Sequence, residues 1–199
     1  MGSKNQKSLY EYLTDADIED INSTAQLAHM GQKRRSGEEY FTHPTEVANI
    51  VKGFYPNDKR AYLVALLHDT LEDAESVGNV TNQELEQMIS GSIADRSEYD
   101  AIIGAVRELT HSKNIPYTDY LLSLTSSPLA LRVKLADMLH NLSSSPSPKQ
   151  VVKYSTALDA LGEKPSGISQ AHMDELENVV GEGKVRCLVS RILKETIGV

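Results

Sequence analysis

Along nearly the whole 199-residue chain, apolar residues recur at intervals of three and four, and sustained period-two alternation is absent. That pattern limits the fold more than composition does. A stripe of helical period collects on one face of a helix but scatters over both faces of a strand. Ile18, Ile21, Ala25 and Ala28 predict a first helix, and Val47, Ile50, Val51 and Phe54 a second. The second follows His43-Pro44, where proline fits a first helical turn. Asn57-Asp58 opens a more hydrophobic helix through Ala61, Val64, Ala65 and Leu67. Thr81 and Glu84 form a capping box for a short helix that Gly91 is expected to close. Ile102, Val106 and Leu109 mark another helix, Leu121 to Leu124 a shorter one, and residues 129–144 a long one. Two or three helices follow, the last through Val185, Leu188 and Ile192. The segments 143–148 and 162–167, rich in Ser, Pro and Gly, read as loops between helices. The fold class expected is one all-α domain.

Twenty Lys and Arg stand against 28 Asp and Glu, a net charge of −8. Such acidity argues against binding long nucleic acids, which takes a basic face to displace phosphate counterions. It leaves room for a small anion at a local basic cluster. The longest useful apolar run, Ala61 to Leu67, is far short of the roughly 18–20 residues that span a bilayer, so no membrane partner is expected. The first residues lack the apolar region of a signal peptide, and Gln6 stands where a myristoylation signal carries Ser or Thr. The lone Cys187 forms no internal disulfide. A cytoplasmic protein is the expectation.

Three places break the apolar pattern. The hydrophobic helix from Ala61 is read as ending in His68, Asp69, Glu72 and Asp73, with His68 and Glu72, and Asp69 and Asp73, each four apart. Carboxylates at a helix C-terminus oppose the macrodipole and repel one another, which favours a compensating cation. On the long helix, Lys134, Asp137, Asn141 and Ser144 follow at i, i+3, i+7 and i+10. That stripe suits either a solvent-facing side or a ligand-lining one, and spacing alone does not decide. The loop from Gln32 to Pro44 carries Lys33, Arg34 and Arg35 before Gly37 and His43; by itself a basic triplet is ordinary solvated surface. His29, His111 and His172 have no partner that spacing suggests, and Tyr40, Lys52 and His140 read as structural.

Together these segments resemble the HD superfamily of metal-dependent phosphohydrolases, and more narrowly the hydrolase domain of the Rel/Spo alarmone enzymes. The resemblance rests on three blocks in order: the basic-Ser-Gly loop from Arg34 to Tyr40, His43 and Pro44; then His68-Asp69 with Glu72-Asp73; then Lys134-Leu135-Ala136-Asp137 with Asn141. It spans roughly residues 17–160 and implies a single HD-domain helical bundle. Residues 1–16 would be an N-terminal extension and residues 161–199 C-terminal helices packing on the same domain.

The resemblance implies His43, His68, Asp69 and Asp137 as metal ligands, with one Mn2+ per chain the expected cofactor. Two imidazoles and two carboxylates suit a divalent transition metal of that kind rather than a thiolate zinc site. Glu72 and Asp73 match the family's catalytic carboxylate pair. Arg34, Arg35 and Ser36 match its nucleotide-binding loop, while Lys134, Asn141 and Ser144 fall on the pocket side of the long helix. Where the long enzymes continue the third block with arginines and a threonine, this chain has Met138, Ser143 and Ser144. That shifts the expected anion binding toward Lys33, Arg35 and Lys134.

The activity implied is hydrolysis of the 3′-pyrophosphate of ppGpp or pppGpp, a small-molecule nucleotide substrate, giving GDP or GTP and pyrophosphate. The roughly forty residues beyond the match cannot hold a synthetase, so a stand-alone small alarmone hydrolase is expected. The alternatives are an HD phosphohydrolase acting on a pppApp-type nucleotide, the 2′-phosphate of NADPH or a nucleoside monophosphate, and an HD module that senses a nucleotide without turning it over.

Overall fold

A computed structural model describes residues 13–144, 146–162 and 164–197, with side chains described to Lys184 except that of Glu75. Among the described residues the regular structure is helical, and the only β-type pairing is an isolated bridge between Lys33 and Glu39. The all-α class follows from the helical spacing of the apolar residues. The chain divides into two compact units, one up to Thr110 and one from His111.

The first unit contains α1 (Asp15–Ala28), α2 (Thr42–Phe54), α3 (Lys59–Leu67), α4 (Thr70–Val77), α5 (Asn82–Ser92) and α6 (Arg96–Leu109). Helix α3 is its axis, packed against α1, α2 and α6. Because neighbours surround it, Ala61 and Leu63 through Leu67 are all fully buried, which explains its near-continuous apolar run. Asp58 caps it by accepting from the Ala61 amide at 3.0 Å. Arg60, in its first turn, reaches Glu98 on α6 with two parallel bonds of 2.5 and 2.6 Å. Thr14–Asp17 and Thr81–Glu84 form capping boxes at α1 and α5.

Two local expectations change. The hydrophobic helix does not run on into the acidic residues. It stops at Leu67, His68 and Asp69 form a two-residue break, and α4 starts at Thr70. The Thr70 hydroxyl donates back to the Leu67 carbonyl at 2.7 Å, giving the terminating backbone a local partner. Glu72 and Asp73 therefore occupy the first turn of α4, where the macrodipole favours negative charge. The electrostatic conflict expected of a C-terminal acidic run is absent at these two residues. Likewise Gly91 does not close α5. The helix continues to Ser92 and ends at Ile93, which turns extended and buries its side chain.

The second unit contains α7 (Tyr117–Ser123), a single 3-10 turn, α8 (Pro128–Ser143), α9 (Pro148–Leu161) and α10 (Gln170–Ile197). Pro128 and Pro148 both open helices, the position where a missing N–H costs nothing. Helix α8 buries Leu131, Val133, Leu135, Met138, Leu139 and Leu142, and α10 packs on both α8 and α9. The contact with α9 is close: a β-carbon on Gly183 would lie 3.2 Å from Val151. The side chains of Val185, Leu188 and Ile192, expected to carry the last apolar stripe, lie outside the described residues, as do residues 1–12 of the expected N-terminal extension.

Candidate metal centre

In the first unit the site is mounted on two backbone irregularities, the start of α2 and the α3–α4 break. His43 sits in the first turn of α2 and is 3% exposed; His68, in the break, is 2% exposed. Their rings meet edge to face at 5.1 Å, with a ring nitrogen of each within 4.8 Å of the other. The His68 Nδ1 donates to the Ala65 carbonyl at 2.8 Å, which leaves the lone pair on Nε2. That Nε2 lies 3.0 Å from Oδ2 of Asp69, and Nε2 of His43 lies 3.6 Å from the same oxygen. Two lone-pair atoms at 3.0 Å repel unless a cation, either a proton or a metal ion, lies between them. The donor set and the backbone-fixed tautomer thus fit a divalent ion.

Tyr40, read from the sequence as structural, takes part directly. Its hydroxyl donates to Oδ2 of Asp69 at 2.7 Å. Its ring packs on His29 at 4.9 Å and meets His43 at 5.8 Å. His29 and Gln32 are also part of the surroundings. His29 Nδ1 lies 2.7 Å from Gln32 Oε1, and Gln32 Nε2 donates to Oδ2 of Asp73 at 2.9 Å. Burial holds the His29 pKa below its ordinary 6.5. Neither residue carried a sequence signal for this role, because Gln32 and Asp73 are 41 positions apart. Of the expected catalytic pair, Asp73 is half-buried and Glu72 exposed.

The basic loop closes on itself. Lys33 bridges to Glu39, with which it also forms an ion pair, and the Arg34 amide donates to the Glu38 carbonyl at 2.8 Å. Gly37 makes the turn at φ 92°, a conformation that disfavours other residues. Arg34 is half-buried, whereas Arg35 and Ser36 are exposed.

In the second unit the polar stripe of α8 converges on one buried carboxylate. Asp137 is 4% exposed. Lys134 Nζ donates to its Oδ2 at 2.8 Å, and Asn141 Nδ2 to its Oδ1 at 2.6 Å. Lys134 and Asn141, expected to face a substrate, thus clamp Asp137 from one turn before and one turn after it. Ser144 is exposed, its hydroxyl turned back to the His140 carbonyl at 2.8 Å. Beside the clamp, Lys134 lies over Tyr117 and Tyr120, and Lys153 over Tyr117 and Tyr154. Burial pushes the Tyr117 phenol well above its ordinary range. His111 bonds the Ile115 carbonyl at 2.8 Å through Nε2, and His172 is fully buried and bonded to the Leu135 backbone.

The chain belongs to the HD domain family, which it matches over residues 22–160. Within that family it is of the Rel/Spo homologue type. It is 36% identical over 121 residues to a GTP pyrophosphokinase rsh of Brucella melitensis, covering 59% of this chain and 15% of that protein. It is 34% identical over 122 residues to a guanosine-3′,5′-bis(diphosphate) 3′-pyrophosphohydrolase of Haemophilus influenzae, covering 59% and 17%. A GTP pyrophosphokinase of Myxococcus xanthus is 30% identical over 139 residues, covering 66% and 18%. The chain thus spans less than a fifth of the length of these relatives. No described helix is long and apolar enough to cross a membrane.

Proposed function

We propose that this chain is a manganese-dependent 3′-pyrophosphohydrolase of guanosine alarmones, converting ppGpp or pppGpp to GDP or GTP and pyrophosphate. The observation that carries the reading is the His68 tautomer: a backbone carbonyl holds Nδ1, and Nε2 faces the Asp69 carboxylate at 3.0 Å. The proposed ligands of the ion are His43, His68, Asp69 and Asp137. A divalent ion held by that set supplies a water acidified toward neutral pH and a Lewis acid for a phosphoryl oxygen. Tyr40 orients Asp69, while Lys134 and Asn141 fix the Asp137 carboxylate in the plane their two bonds define. Asp73 and Glu72 position the attacking water and take its proton. Arg34 stacks on the base, Arg35 and Ser36 contact the phosphates, and Lys134, Asn141 and Ser144 are the remaining proposed substrate-binding residues.

A nucleotide panel tests the reading. The protein is loaded with Mn2+ and incubated separately with ppGpp, pppApp, a nucleoside monophosphate and NADPH. The expected products are GDP and pyrophosphate from ppGpp. Orthophosphate alone, or turnover confined to the monophosphate or NADPH, overturns it, and a preference for pppApp replaces guanosine by adenosine as the base.

A further inference from the structure

We infer that His29 and Gln32 are positioning residues for Asp73, a pair that holds one carboxylate oxygen so that the other meets the attacking water. The inference rests on the hydrolase reading above, in which Asp73 handles that water.

The three side chains form one chain of hydrogen bonds with a single self-consistent direction. An ionised Asp73 accepts only, so the Gln32 atom 2.9 Å from its Oδ2 is the amide nitrogen. The Gln32 carbonyl oxygen then faces His29 Nδ1 at 2.7 Å, and Nδ1 carries the proton. His29 thereby decides which way round the carboxamide sits. Without that donor the amide could flip and present an oxygen to the carboxylate. No described residue hydrogen-bonds Oδ1 of Asp73, which leaves that oxygen for a water.

The framework under the pair is rigid. His29 and Gln32 leave α1 through a tight turn in which Gly31 stands at φ 82°. The Gln32 amide bonds the His29 carbonyl, and the Gln32 carbonyl accepts from Tyr40 at 2.9 Å. Asn79, beyond α4, donates to the Met30 carbonyl at 2.7 Å and ties the turn to the helix that bears Asp73. The ring of His29 also backs Tyr40, the residue that orients Asp69.

A merely stabilising role fits poorly. His29 is 1% exposed, and its Nε2 is buried with no hydrogen-bond partner among the described residues. A buried acceptor without a partner costs free energy that an apolar residue would not. Such local costs gather at functional sites, where orientation matters more than stability.

The test combines kinetics with ppGpp and Mn2+, metal titration and NMR on the full chain. Gln32→Ala is expected to lower kcat by about 100-fold, as a misplaced catalytic group does, with KM and Mn2+ affinity little changed. Gln32→Glu, the same size, serves if the alanine variant does not fold, and should show the same loss. His29→Phe keeps the ring contact with Tyr40 but loses the donor and should be slow. His29→Asn restores a donor near Nδ1 and should recover most of the rate. Gln32→Ala combined with Asp73→Asn should be no slower than Asp73→Asn alone. Unchanged kcat in Gln32→Ala beside an inactive Asp73→Asn overturns the inference and leaves the hydrolase reading standing, as do losses that multiply. Falling metal affinity in step with rate also overturns it, assigning Gln32 to the integrity of the metal site. An active Asp73→Asn removes the role given to Asp73 and this inference with it. Independently of any substrate, the 15N shifts of His29 should report the Nδ1-protonated tautomer, and the opposite tautomer refutes the chain of bonds.

Discussion

The Tyr40 hydroxyl donates to the same Asp69 oxygen, Oδ2, that lies 3.0 Å from His68 Nε2. A residue of the basic loop thus fixes a candidate ligand 29 positions later, and loop and site are joined through one oxygen. Tyr40→Phe keeps the ring between His29 and His43 and removes only this bond. Mn2+ binding, followed by calorimetric titration, is expected to weaken by about 10- to 100-fold, the usual cost of losing a ligand's outer partner. An unchanged affinity would mean that Asp69 is oriented without Tyr40.

His172 makes stability depend on acidity. Burial lowers its pKa from the ordinary 6.5 to about 4. Between those values the unfolded chain binds the proton and the folded chain does not, so stability falls as pH falls. The loss begins near 6.5, is complete near 4, and reaches at most about 3 kcal/mol; above 6.5 this residue contributes no slope. His29, its pKa also lowered by burial, acts in the same direction. Urea midpoints at pH 7.5 and 5 should lie closer together in His172→Gln than in the unaltered chain.

The ion pair between Arg60 and Glu98 fastens α3 to α6, with the Glu98 side chain 3% exposed. Arg60→Met leaves that carboxylate buried without its guanidinium and should cost about 3 kcal/mol, toward the low end because Arg60 is 32% exposed. Arg60→Met with Glu98→Leu should recover most of it. Additive losses across the double-mutant cycle would mean that the two side chains act separately.

Gly167 stands at φ 78°, and a β-carbon there would lie 2.8 Å from the Pro128 β-carbon. Gly78, at φ 77°, has nothing within 4 Å of the same position. Gly78→Ala should therefore cost only the left-handed backbone penalty of about 1 kcal/mol, and Gly167→Ala about 2–3 kcal/mol. Equal shifts in denaturant midpoint would show that the start of α8 gives way easily.

What could be read from the sequence was local. Thr81 and Glu84 announce the start of α5 because a capping box is written within four residues. The burial of Ile21, Ala25 and Ala28 follows from period alone. The break at His68–Asp69 was not legible, since apolar periodicity runs straight through it and a threonine hydroxyl decides the matter. In the site, the metal-ligating residue types stand out by kind. The bond from Gln32 to Asp73 could not, because nothing in either segment encodes a partner 41 positions away. Lys134 and Asn141 show the opposite limit. Their spacing was plain, but the stripe alone did not say that both would turn onto Asp137.

The α3–α4 break also divides the backbone by how readily it opens. Amides of α3 lie in a helix whose Ala61 and Leu63 to Leu67 are fully buried, and those of this stretch should exchange with deuterated solvent only when the whole unit unfolds. Helix α4 has only eight residues, with Glu72 and Ser76 exposed, and should open locally and exchange sooner. His68 is then attached to the slowest-exchanging stretch of the first unit and Asp73 to one of its faster ones, with the seam falling between an imidazole and a carboxylate of the same site.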